Sequence, residues 1–261
     1  MTPLVRALIE KLGHNHGFEY VLPEQQVAVC SLGSARQPAK VAISCAQMGY
    51  VVNVTHGPSA LAVELERSFA RWPRLGEAYL LSTEADLAHW LQRASVLAQS
   101  LPNQAAVDFE AQVQQALAAL PSSDARNTEV IRMVRQRVGQ DRYRQAMLSY
   151  WGGACAITGL ALPAALRASH AKPWADCSTD AERLDVFNGF LLSANLDALF
   201  DQFLLTFGQH GEVLVASHIG AEDRSFLGLS PNMGLRWLAP QHLPYLDHHR
   251  ACFLATQHAQ G

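Results

Sequence analysis

The sequence predicts an α+β protein of two domains, and three observations carry that prediction. Short β-favouring runs at 27–32 (VAVCSL), 39–45 (AKVAISC) and 50–54 (YVVNV) precede helical apolar spacing at 59–71 and 84–99. A cluster of Pro121, Ser122, Ser123 and Asp124 then breaks the chain. Beyond it the order changes to one long helix followed by strand, loop, strand and helix. The first domain is assigned to 1–100, a helical linker to 101–127 and the second domain to 128–261.

The amino-terminal MTPLVRALIEKLG reads as a short amphipathic helix, with Thr2 as its cap and Pro3 in its first turn. Gly33-Ser34 and Gly49 supply turns between the β runs. A helical run from about 104 to 119 follows Pro102. The stretch 128–150 is helical, rich in Arg and Gln, and ends in Tyr150-Trp151-Gly152-Gly153. Further strands are expected near 203–207 and 211–216, and a last helix follows Pro240.

With 261 residues, 49% of them hydrophobic and only 16% charged, the chain has enough apolar surface for real cores and is not disordered. The net charge of −3 gives no global basic signature, so any polyanion must be met by local patches. Arg132, Arg135, Arg137, Arg142 and Arg144 form one such patch, interrupted only by the acid Asp141. Five scattered cysteines without repeated spacing argue against a secreted disulfide framework. The start lacks a signal peptide's apolar core, and no stretch is long enough to span a bilayer. A cytoplasmic protein is expected.

The chemistry concentrates in 155–201. His170 ends a strand (ALRASHA), and Asn188-Gly189 stand where a loop meets a second strand (FLLS). Asn195 is read as the cap of a helix that begins LDALFD. Asp197 and Asp201 are four apart on that helix, so both leave one face. One imidazole and two carboxylates are thereby available to converge. A neutral imidazole can take a proton from water near neutral pH. Two carboxylates suit a hard divalent ion such as Mg²⁺ or Mn²⁺.

The residues CAITG, Ala168-Ser169-His170 with Lys172-Pro173-Trp174, Asn188-Gly189 and Asp197-Ala198-Leu199-Phe200-Asp201 resemble the HNH (ββα-metal) endonuclease family, in its bacterial restriction-type branch. The upstream Arg137-Val138-Gly139-Gln140 and Tyr143-Arg144 resemble that branch's lead-in. The resemblance implies that the second domain contains a ββα-metal motif cutting double-stranded DNA. It implies His170 as general base, Asn188 as the brace of its loop, and Asp197 and Asp201 as metal ligands. The last His of the motif's name is Asp197 here. Ser169 stands where many members carry a metal-binding Asp or His. No structural zinc is expected, since Cys155 lacks its paired cysteine at Thr158 and the other pair's positions hold Ser193 and Leu196.

Each residue also has a plainer reading. A lone His is commonly structural, Asn-Gly a turn, and two acids on a helix a solvated face. Arg137, Arg142, Arg144, Lys172 and Arg183 are candidate phosphate contacts, with surface solvation the alternative. Trp174 is read as packing. By analogy with restriction-type relatives, 1–100 reads a DNA target; a dimerisation or partner domain is the alternative. A homodimer would allow two cuts in a duplex. A degenerate HNH domain that binds DNA or a protein without cutting is the competing function.

Overall fold

The computed structural model describes residues 1–24, 26–47, 49–102, 104–121 and 127–259. The expected break residues Ser122, Ser123 and Asp124 lie outside them. The chain divides into two compact units, Met1–Gln104 and Ala105–Gly261.

In the first unit, α1 (Pro3–Asn15) starts where the Thr2 side chain accepts a hydrogen bond from the Val5 amide. The strands β1 (Tyr20–Val21), β2 (Val29–Gly33), β3 (Lys40–Ala46) and β4 (Gly49–His56) run antiparallel as consecutive neighbours. After α2 (Leu61–Ser68), the hairpin of β5 (Arg74–Leu75) and β6 (Ala78–Leu81) joins through β6 beside β4, giving the order β1-β2-β3-β4-β6-β5. Period-two alternation puts Cys30, Leu32, Val41, Ile43, Val52, Tyr79 and Leu81 into the core. The helix α3 (Glu84–Ser100) is launched by a capping box between Thr83 and Asp86 and buries Leu87, Trp90, Leu91 and Leu97. The two-residue β1 and β5 carry too little periodicity to be legible beforehand.

The helix α4 (Gln104–Ala118) lies within the stretch assigned from sequence to a helical linker, and all but its first residue falls in the second unit. Phe109 and Val113 are buried, and the Arg135 guanidinium lies 5.1 Å over the Phe109 ring. Arg135 also pairs with Glu110 at 3.0 Å. Apolar anchors on one face make α4 a packed helix rather than a tether.

The long α5 (Thr128–Tyr150) is capped by the Asn127 side chain, which accepts from the Glu129 and Val130 amides. Its buried residues, Gly139, Tyr143, Met147 and Tyr150, form one stripe at helical spacing. The strand β7 (Leu166–His170) follows, then a short α6 (Asp180–Leu184) within the connecting loop. The strand β8 (Gly189–Ser193) pairs antiparallel with β7, His170 opposite Gly189 and Leu166 opposite Ser193. All five residues of β8 are buried, because α5 packs on it and so does α7 (Ala194–Asp201). The cap of α7 is Ser193, not Asn195. The Asn195 amide instead donates to the Leu227 carbonyl at 2.9 Å, and its oxygen accepts from the Ser193 hydroxyl.

The hairpin β9 (Leu205–Phe207) and β10 (Val213–Val215), the short α8 (Ala221–Phe226) and α9 (Leu243–Ala259) complete the unit. Its core is aromatic: Trp151 stacks on Trp237 at 4.2 Å, and Phe190 meets Phe200 and Phe207. No helix among the described residues is long and apolar enough to cross a membrane.

Candidate active site

The element order β7, loop, β8, α7 places His170 at a strand end and the two acids on the helix packed against that strand. His170, Asp197 and Asp201 line one cleft of about 320 Å³. A neighbouring cleft of about 370 Å³ shares His170 and Asp201 and continues to Phe203 and His249.

The orientation of His170 follows from its partner. Nε2 lies 2.8 Å from the Arg183 carbonyl oxygen, which can only accept. Nε2 therefore carries the proton, and Nδ1 keeps the lone pair. Burial pushes the imidazole's pKa down to about 4, the bond to the Arg183 carbonyl opposing this only in part. At neutral pH the ring is uncharged and able to accept a proton. The Tyr143 ring stacks on it at 3.8 Å, and Trp174 meets it edge-on at 5.8 Å.

Asn188 is fully buried and holds the loop after His170 from both sides. Its oxygen accepts from the Lys172 amide at 2.8 Å. Its nitrogen donates to the carbonyls of Lys172 and Glu182 and to the Cys177 sulfur. The same stretch delivers the Arg183 carbonyl that orients His170. The Tyr143 hydroxyl donates to the Asn188 carbonyl at 2.9 Å. Gly189 is required here, since a Cβ would collide with the Ser169 carbonyl and the Tyr143 hydroxyl.

Ser169 is buried and donates its hydroxyl to Asp197 Oδ1 at 2.6 Å, so it orients a carboxylate. Burial, and then the charge of Asp197, push Asp201 up to about 6. No basic side chain pairs with either acid among the described residues. Two acids sharing a cleft without a counter-charge fit a divalent cation, and this donor chemistry is oxygen, as Mg²⁺ or Mn²⁺ prefers. Among the described residues no group of three or more His, Cys, Asp or Glu side chains is clustered around one metal position. Asp197 and Asp201 would thus hold the ion with water or substrate oxygens filling the remaining positions.

Residues 155–208 match the family model described as HNH endonuclease. No curated protein matches the chain. The HNH segment thus spans β7, β8, α7 and β9, with His170, Asn188, Asp197 and Asp201 inside it. HNH nucleases act on DNA and generally use divalent metal ions, and the helix and strand order of this segment is that of a ββα element.

The five cations named from sequence are placed unequally. Arg144 donates to the carbonyls of Leu166 and Pro163. Lys172 pairs with Glu182 at 3.1 Å. Arg183 is bound to Asp180 and to the Trp174 and Cys177 carbonyls. These three brace the HNH loop and strand. Arg137 and Arg142 lie on α5, Arg137 with its side chain in solvent. Two residues without an assigned role in the sequence matter here. Tyr143 clamps the imidazole and the Asn188 turn together. Arg167 lines the cleft while donating to the Ala164 and Leu166 carbonyls. The buried stripe on α5 was the signal for Tyr143: Gly139, one turn earlier, leaves the space that the Trp174 ring occupies.

Proposed function

We propose that the protein is a metal-dependent HNH endonuclease that hydrolyses DNA phosphodiester bonds in restriction-type host defence, with residues 1–104 supplying target recognition. The observation that carries the nuclease reading is the His170 imidazole, whose Nε2 is held by the Arg183 carbonyl, lining one cleft with Asp197 and Asp201. His170 Nδ1 takes the proton of the attacking water. Asn188 and Tyr143 keep the ring in place through this transfer, so little reorganisation is needed as charge develops. Ser169 holds Asp197 in one orientation. Asp197 and Asp201 would hold a divalent cation, which when bound supplies charge stabilisation at the phosphate and the departing oxygen. A backbone-directed site of this kind has little base preference, so target choice is assigned to the other unit.

The test is supercoiled plasmid incubated with Mg²⁺, Mn²⁺ or EDTA. Metal-dependent nicking is expected from the wild-type chain, with none from His170→Ala. Nicking in EDTA, or by His170→Ala at the wild-type rate, overturns the assignment. A second reading, a non-cutting HNH module that binds DNA or a protein, is favoured by one observation: the residue before the base is Ser169, which bonds to Asp197 and adds no strong ligand. Metal-independent DNA retention without any nick is the result that reading expects. The restriction role is tested by challenging cells that carry the gene with phage DNA of differing modification.

A further inference from the structure

We propose that Arg144 and Arg167 form an anion site at the rim of the cleft that holds His170, and that it takes a backbone phosphate of the DNA strand beside the one that is cut. The inference rests on the nuclease reading for the identity of the anion; the geometry of the site stands without it. Both arginines line the cleft with His170, Asp197 and Asp201. They come from different elements, Arg144 from α5 and Arg167 from β7. Both are anchored on the turn that leads into β7. Arg144 donates to the Pro163 carbonyl at 2.9 Å and to the Leu166 carbonyl at 2.8 Å. Arg167 donates to the Ala164 carbonyl at 3.0 Å and to the same Leu166 carbonyl at 2.9 Å. A carbonyl oxygen has two lone pairs and can accept from both. Two cations thus meet on one neutral oxygen, inside the roughly 8 Å over which physiological salt screens charge.

Among the described residues neither arginine makes an ion pair, whereas Arg135, Lys172 and Arg183 each have a carboxylate. Two converging guanidinia without a counter-charge repel, and an anion between them relieves this. Donors remain for it. Arg167 spends only Nη1 on the chain, so Nε and Nη2 stay open along one edge of the guanidinium, on a residue exposed to solvent. Such an edge grips a phosphate through two parallel hydrogen bonds. The carbonyls fix the group in place and leave its charge intact, so little ordering is left to be done when an anion arrives.

The phosphate held here is not the one attacked. Leu166 opens β7 and His170 ends it, which separates them by roughly 13 Å of extended chain. The arginine pair therefore meets a flanking phosphate of the strand that His170 serves. A contact of that kind sets how the strand lies across the imidazole and reads no base.

The experiment uses the full chain carrying His170→Ala, so that DNA is bound and not cut. Affinity for a labelled duplex is measured by fluorescence anisotropy over a range of salt concentrations. Arg167→Gln should weaken binding severalfold for every sequence tested. It should also lower the slope of log affinity against log salt by about 1, the signature of one lost phosphate contact. Arg144→Gln should do the same. Arg132→Gln removes an equal charge at the far end of α5, where Glu129 already pairs with it, and should leave the slope in place. In a second arm, inorganic phosphate is titrated while the arginine Nε–H signals are followed by NMR. The Arg167 signal, assigned by its loss in Arg167→Gln, should move saturably. The inference is overturned if that signal does not respond to phosphate. It is overturned equally if Arg132→Gln lowers the slope as much as Arg167→Gln in proteins that melt like the parent. A responding signal with an unchanged DNA slope assigns a free anion and overturns the DNA assignment. A parent chain that binds phosphate at Arg167 but no DNA sinks the nuclease reading and leaves the anion site standing.

Discussion

The cleft of the second unit and the core of the first treat their hydrogen-bond donors differently. Around His170, the protein's donors are already used: the Asn188 nitrogen, the Tyr143 hydroxyl, the Ser169 hydroxyl and the Arg144 and Arg183 guanidinia all meet acceptors of the chain. What this cleft offers is an imidazole with one unprotonated nitrogen and a pair of carboxylates, groups that receive protons and cations. In the first unit the sense is reversed. The Tyr79 hydroxyl and Trp90 indole nitrogen are donors left without a partner inside the packed interior. The contrast teaches that a side chain's worth to the fold depends on whether its polar atom is paired, more than on residue type. Removing a group from the first should weaken the fold or the reaction. Removing one from the second should cost the fold nothing.

The largest expected effect is on the reaction. His170→Ala should lower plasmid nicking by about 10²–10⁴-fold, the usual range for a general base, while gel-shift affinity changes little. Equal losses of binding and nicking would show that His170 serves the fold rather than the proton.

Asn188→Ala should be next. It strips four hydrogen bonds from a fully buried side chain and leaves backbone groups unpaired, a loss on the order of 3 kcal/mol. Thermal melting should fall by roughly 6–12 °C for a unit of this size. A melt within a degree or two of wild type would refute the loop-bracing role.

Acid titration of stability sharpens the contrast within the second unit. His249 is buried, with its pKa pushed down to about 4 by desolvation, below the ordinary 6.5 it regains on unfolding. Between those values the unfolded chain binds the extra proton, so this group's contribution is complete above pH 6.5 and is lost as pH falls through 4. Asp201 has the opposite sign. Its folded value of about 6 lies above the ordinary 3.8 it regains on unfolding, so its contribution is present below pH 3.8 and lost as pH rises through 6. Urea midpoints measured from pH 7 to 4 should therefore fall less steeply in His249→Asn than in wild type, and more steeply in Asp201→Asn. Parallel curves for all three proteins would show that neither group is held as described.

The smaller effects compare two tyrosines. Tyr143→Phe removes a donor that is paired with the Asn188 carbonyl and should cost about 1 kcal/mol, with a modest loss of nicking. Tyr79→Phe removes an unpaired one and should leave the melting temperature unchanged or raise it by a few degrees. If Tyr79→Phe destabilises the chain as much as Tyr143→Phe, the Tyr79 hydroxyl has a partner and the comparison fails.

Much of the fold was legible because period and punctuation agree locally. Thr2 and Pro3 mark α1, and alternating Val41, Ile43 and Val52 mark the central strands. Leu191 and Leu192 within FLLS read as a strand. Where contacts from afar decide the outcome, local reading missed. Asn195 favours a cap, but its side chain is engaged by the Leu227 carbonyl and the Ser193 hydroxyl, and Ser193 takes the cap position without a side-chain capping bond. In α4, Phe109 is a sparse apolar anchor in the sequence, and it is the Arg135 guanidinium from α5 that covers its ring.

The sequence by itself determined the order of the chemistry: a strand ending in His170, Asn188-Gly189 before a second strand, and two acids one helical turn apart. Those relations are short-range, and backbone geometry converts them directly into a shared face. Only the tertiary structure decided which nitrogen of His170 is bare, because that depends on the Arg183 carbonyl thirteen residues away. It alone showed that Arg144, Lys172 and Arg183 brace the protein, and that Tyr79 and Trp90 keep unpaired donors in the interior. Hydrogen-bond valence is settled by neighbours brought together across the chain, and no periodicity in the letters records it.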